Sequence, residues 1–315
     1  FIRVPMAIRN SGFGIEIQEE TSSIDSTNEI VSHRYENQFQ TEEDLEKIGV
    51  PEVSHDLEES ERRLAVAHEL FDGFLDVMLW GADPYLSLWD PIATWMGVEN
   101  ALYALKDKPD YMHRLLNLMT EGYLSMLDQL EDQGLLCGSQ SLIHCTGAFT
   151  DELPGPDYDL SQPRTKDLWS FGLAQMLSSV SPKMFKDFEV DYASRIFGRF
   201  GMVYYGCCDP LHDRMDQVRM IPNVRKVSMS AWVDEERGAA EIGRDFVYSR
   251  KPNPVSVAMD DFNADQVRND LTTTREICSK HASPLEFILK DISTVRYKPK
   301  RLSEWASIAM EVVDG

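Results

Sequence analysis

The chain has 315 residues, 43% of them hydrophobic, with 53 acids against 31 bases and a formal charge of −22. That charge repels phosphate backbones and anionic lipid surfaces, so neither nucleic acid nor a membrane surface is expected as a partner. No apolar run approaches the ~18 residues of a bilayer-spanning helix. Five cysteines without framework spacing point to a reducing compartment, and a cytoplasmic location is expected. The chain opens at Phe1, without a methionine or a signal-peptide pattern, so further residues upstream are expected.

Residues 1–57 read as an N-terminal extension, separate from a main body at 58–315. Ile2 to Ile17 alternates loosely around Gly12 and Gly14, as an edge strand or hairpin would. Residues 41–62 hold nine acids, a solvated face. From residue 58 the period becomes helical, with Leu64, Ala67, Leu70, Phe71 and Phe74 on one side. Val77-Met78-Leu79-Trp80 reads as a short buried strand, and 91–105 and 109–133 as helices, the latter stopping at Gly134.

The second half alternates more cleanly. A helix from Ser181-Pro182 to about 198 precedes a strand at 201–206. A helix at 212–220 precedes a strand at 225–229, and a helix at 235–244 precedes a strand at Val255–Ala258. A helix at 264–281, a strand at 286–290 and a helix at 302–313 close the chain. Short strands alternating with helices imply parallel strands, and four such units in succession fit an α/β (β/α)₈ TIM barrel. No glycine-rich dinucleotide turn follows any of these strands.

The apolar run Met202-Val203-Tyr204-Tyr205 opens into Gly206-Cys207-Cys208-Asp209. Thiols and a carboxylate at the carboxyl end of a buried strand stand where barrels place their chemistry. Strand side chains alternate, so one cysteine is expected at the mouth and the other packed away. His144-Cys145 offers a second imidazole and thiol, and the same loop runs on to Glu152, within reach as an acid or base. Glu189 shares a helix face with Phe185, Phe188 and Tyr192. Later strand ends carry Ser228, Ser230 and Trp232, then Lys251 and Asn253, then Lys290 and Asp291. Inward lysines in so acidic a chain would bind an anionic group or pair with Asp209 and Asp291.

The order of elements over residues 75–315 resembles the uroporphyrinogen decarboxylase superfamily, a (β/α)₈ barrel that includes cobalamin-dependent methyltransferases. Trp89-Asp90-Pro91-Ile92, Lys108 to His113, Ser181 to Phe188 and Phe287-Ile288-Leu289-Lys290 carry the likeness. Tyr205-Gly206-Cys207 stands where zinc-dependent members carry His-x-Cys, and Ile292-Ser293 where their distant cysteine falls.

The resemblance implies a methyltransferase that takes a methyl group from a methoxylated or methylated small molecule to the cobalamin of a separate corrinoid protein. Zinc is the candidate metal, with Cys207, Cys208, Asp209, Glu189, His144 and Cys145 as candidate ligands. Tyr205, Glu152 and Lys290 are candidate proton donors, and Trp232, Ser228, Ser230, Lys251, Asn253 and Asp291 candidate substrate contacts. A homodimer is left open. Two other readings stand beside it: a metal-free lyase binding carboxylates through Lys251, Lys290 and Arg250, and a non-catalytic barrel that binds a small ligand.

Overall fold

The computed structural model describes residues 1–23 and 31–315. Residues 24–30, part of the expected extension, lie outside the described residues. Five strands run parallel, side by side in chain order: Trp169–Gly172, Met202–Tyr205, Val224–Met229, Val247–Arg250 and Leu285–Phe287. Helical segments return the chain between them, including Asp191–Phe197, Glu235–Ile242 and Ala264–His281. Their starts are fixed locally. The side chains of Asp234 and Asn263 accept from the backbone N–H of Arg237 and Gln266, satisfying first-turn donors that the helix leaves open. The class is α/β. No helix among the described residues is long and apolar enough to cross a membrane.

A second parallel pair joins Ile2–Pro5 to Val77–Trp80, and single bridges link Ala82 to Leu136 and Tyr85 to Phe171. The first strand is thus built into the parallel framework, and the boundary expected at residue 57 does not separate it from the main body. Beyond it, Ile8–Asn10 pairs antiparallel with Val53–His55. Among the described residues no ladder joins Leu285–Phe287 to Ile2–Pro5.

One strand expectation fails and one strand is unexpected, each for a backbone reason. Val255–Ala258 is a helical turn, and the strand lies earlier, at Val247–Arg250. Pro252 and Pro254 lack the N–H a ladder needs, and Pro254 caps the turn with φ of −67°. Trp169–Gly172 went unread because Gly172 weakens a strand pattern. Glycine is required there, since a Cβ would sit 2.1 Å from the Phe197 ring.

Alternation divides the sheet into two faces. Val203, Tyr205, Val227, Met229 and Tyr248 join the main core, where the long helix Pro109–Asp132 contributes Met112, Leu115, Leu116 and Met119. Met202, Tyr204, Trp169 and Phe171 face the other way and pack with Ile143, Ala148 and Cys207. That side is filled by the hairpin of Leu142–Ile143 and Thr146–Gly147. Lys226 anchors it, donating to the Gly147 carbonyl at 2.7 Å and pairing with Glu286 at 2.9 Å.

Candidate functional site

Gly206 follows the strand with φ of +92°, and a Cβ there would meet Leu211 at 2.4 Å. This left-handed residue ends the strand's alternation. Cys207 and Cys208 therefore bring their sulfurs together, 3.6 Å apart, instead of pointing to opposite sides. The Cys207 backbone is held from three directions. Its N–H donates to Asp209 Oδ1 at 2.9 Å, and its carbonyl accepts from Ser228 Oγ at 2.6 Å and Lys251 Nζ at 3.0 Å.

Lys290, from the last strand's carboxyl end, places Nζ 3.0 Å from Cys207 Sγ and 3.8 Å from Cys208 Sγ. Asp291 lies behind it, 3.4 Å from the ammonium, and accepts from the Cys208 thiol at 3.5 Å. His144 Nε2 completes the group at 3.9 Å from Cys207 Sγ. Its backbone is left-handed at φ 51°, and its ring stacks on Phe171 with centroids 4.1 Å apart. Tyr85 stacks on the same phenylalanine at 5.4 Å, so three rings run in sequence toward the thiols.

The charges follow from this packing. Burial, then the neighbouring Cys207, pushes the Cys208 thiol up to about 11, so it stays protonated at neutral pH. Burial works against the Lys290 ammonium, yet the two thiols and Asp291 raise it overall and keep it charged. Burial and the lysines hold His144 low, so it is a neutral ring. Lys251 is 4% exposed and has no carboxylate at ion-pair distance among the described residues. Its ammonium lies 5.3 Å above the Tyr204 ring.

Other expected site residues lie elsewhere. Tyr205 and Glu189 occupy the opposite face of the strand, where the Tyr205 hydroxyl donates to Glu189 Oε1 at 2.9 Å and Trp89 Nε1 donates to Oε2 at 3.0 Å. Burial pushes that carboxyl up to about 8. A π-helical turn, Lys186–Val190, turns it inward. Neither residue reaches the thiols, so the proton-donor role of Tyr205 and the ligand role of Glu189 do not fit. Tyr204 is the tyrosine on the site face, 3.9 Å from Cys145 Sγ and 3.2 Å from Ser249 Oγ. The His-x-Cys correspondence selects Tyr205, whereas strand alternation puts Tyr204 on the side of Cys207. Glu152 is held by both guanidinium nitrogens of Arg225 at 2.7 Å, at the amino end of the Val224–Met229 strand and so away from the thiols.

The remaining polar residues are spoken for locally. Asp209 is buried against its own turn. Asn253 accepts from the Val255 N–H at 3.0 Å, and Ser230 Oγ accepts from the Trp232 N–H at 3.3 Å. The Trp232 ring is 71% exposed at the rim. The zinc expectation meets the same limit. Among the described residues no three His, Cys, Asp or Glu side chains converge as a metal would require. An ammonium stands against both thiols where the metal's charge would be, so this donor set does not fit zinc.

No family model matches the chain, and no curated protein matches it. Among solved structures it is similar to a methyltransferase from Methanosarcina mazei, with a TM-score of 0.55 and 10% identity over 94% of this chain and 76% of that one. The likeness is one of fold. It leaves the chemistry to be argued from the thiols.

Proposed function

We propose that the chain is a (β/α)₈ barrel methyltransferase in which the Cys207 thiolate receives a methyl group from a small molecule and passes it on. The barrel reading is supported by the strand order. Two strands at Ile2–Pro5 and Val77–Trp80, one bridge at Leu136 and the five-stranded sheet give eight parallel positions in chain order.

The observation that carries the chemistry is the 3.0 Å contact between Lys290 Nζ and Cys207 Sγ. A fixed ammonium at this distance stabilises the negative charge that sulfur carries before attack and after release. The thiolate attacks the methyl carbon, a carbon–sulfur bond forms, and the bond to the donor heteroatom breaks with its electron pair on that atom. In the second half the methyl leaves for the acceptor, and Lys290 stabilises the returning thiolate as it stabilised the attacking one. Ser228 and Lys251 hold the Cys207 carbonyl, which fixes the direction of attack.

The acceptor we favour is the corrinoid of a separate protein, which would supply a strong nucleophile for carbon when docked. Exposed His144, Asp291 and Trp232 leave the carboxyl end of the strands open to such a partner. The test uses the chain with isotopically labelled methyl donors and maps the label by peptide mass. Label on Cys207, lost in Cys207→Ser together with turnover, is the expected result. Turnover that survives Cys207→Ser overturns the proposal.

A further inference from the structure

Cys207 and Cys208 are neighbours in the chain, and their sulfurs lie 3.6 Å apart, in van der Waals contact. The backbone beneath them is fixed. Gly206 enters at φ +92°, the Cys207 N–H donates to Asp209, and the Cys207 carbonyl accepts from Ser228 and Lys251. The pair is about 1.5 Å short of a sulfur–sulfur bond, a gap that rotation about the two Cα–Cβ bonds can span. The two thiols are chemically unequal. Cys207 is 9% exposed and has the Lys290 ammonium at 3.0 Å. Cys208 is more exposed, stands 3.8 Å from that ammonium, and donates its thiol proton to Asp291 Oδ2 at 3.5 Å. Burial and then Cys207 keep the Cys208 thiol protonated. The other cysteines lack this arrangement: Cys137 and Cys278 are buried, and Cys145 contacts the Tyr204 hydroxyl at 3.9 Å.

We infer that Cys207 and Cys208 are a redox pair, closed to a disulfide by a hydroperoxide and reopened by a dithiol reductant. The Cys207 sulfur, as thiolate, attacks one peroxide oxygen. A sulfur–oxygen bond forms, the oxygen–oxygen bond breaks, and hydroxide leaves with the electron pair beside Lys290 and is protonated to water. Cys208 then attacks the sulfenic sulfur. The sulfur–sulfur bond forms and the sulfur–oxygen bond breaks. The oxygen leaves as water, carrying the proton that Cys208 releases through Asp291. The two sulfurs lose two electrons in all, and the peroxide gains them. The peptide between the cysteines is trans, which holds their Cα atoms about 3.8 Å apart, below the ~4.4 Å at which ordinary disulfides begin. Such a bond is strained and readily reduced, as a reversible device requires. Closure leaves no free thiolate at the site, so it would switch off methyl transfer; that consequence rests on the methyl-transfer reading of Cys207.

The test is peptide mass analysis of the full chain after hydrogen peroxide, with and without dimedone, which traps sulfenic acids. The peptide carrying both cysteines should become lighter by two hydrogens, regain them with dithiothreitol, and take up no dimedone. Cys208→Ser should stop instead at a dimedone adduct on Cys207, and Lys290→Met should slow disulfide formation about tenfold. The unfolding midpoint of each variant is measured alongside. A wild-type chain that keeps both thiols, carries dimedone on Cys207, or links Cys207 to Cys145 overturns the inference. These readouts need no methyl transfer. A disulfide in a chain whose turnover survives Cys207→Ser would sink the methyl-transfer reading and leave the redox pair standing, and methyl label on Cys207 without a disulfide would do the reverse.

Discussion

Lys290 reaches the sulfur of Cys207 at 3.0 Å from a strand end 83 residues further along the chain. Replacing it with methionine keeps the stem and removes the charge. Lys290→Met should slow alkylation of Cys207 by iodoacetamide about tenfold at pH 7. An unchanged rate would mean the ammonium does not set the thiol's reactivity.

Glu189 makes stability depend on pH. Its folded carboxyl is raised by burial from the ordinary 4.5 to about 8, so between those values the folded state holds a proton that the unfolded chain has released. Stability should therefore fall as pH rises across that window, by on the order of a few kcal/mol in all. Urea unfolding at a series of pH values should show the slope, and Glu189→Gln should flatten it. A wild-type protein without any slope there would mean Glu189 does not hold its proton.

Gly206→Ala should be costly twice over. The residue sits at φ +92°, and its Cβ would meet Leu211 at 2.4 Å. A loss of about 1–3 kcal/mol is expected from the backbone alone. In a Leu211→Ala background the clash disappears and the backbone cost stays, so the substitution should remain destabilising there. Full rescue by Leu211→Ala would assign the whole effect to the contact.

Glu152→Gln should leave turnover and Cys207 alkylation unchanged, with little movement in the unfolding midpoint. The carboxylate is exposed and paired with Arg225 away from the thiols, and such surface pairs contribute little. Lost turnover would return Glu152 to the candidate acids.

The alternating helices and strands of the second half were legible because buried parallel strands read as short apolar runs between helical periods. Cys207, Lys251, Lys290 and His144 were legible as chemistry by their place at strand ends or in the long loop. What escaped depended on single backbone states. Gly206 ends the strand's alternation, and the two adjacent cysteines beyond it bring their sulfurs together. Pro254 converts an apolar run into a helical turn. Ile2–Pro5 could not be placed, since its partner Val77–Trp80 lies far along the chain and parallel pairing leaves no turn between them to read.

The hairpin around Thr146 and Gly147 occupies the sheet face beneath the thiols and is pinned there by Lys226. Traffic at the site is consequently one-sided. On the methyl-transfer proposal, a donor and an incoming acceptor would share a single doorway, and the spent donor would have to clear it before the acceptor reached the methylated sulfur. The architecture would then order the two half-reactions in time.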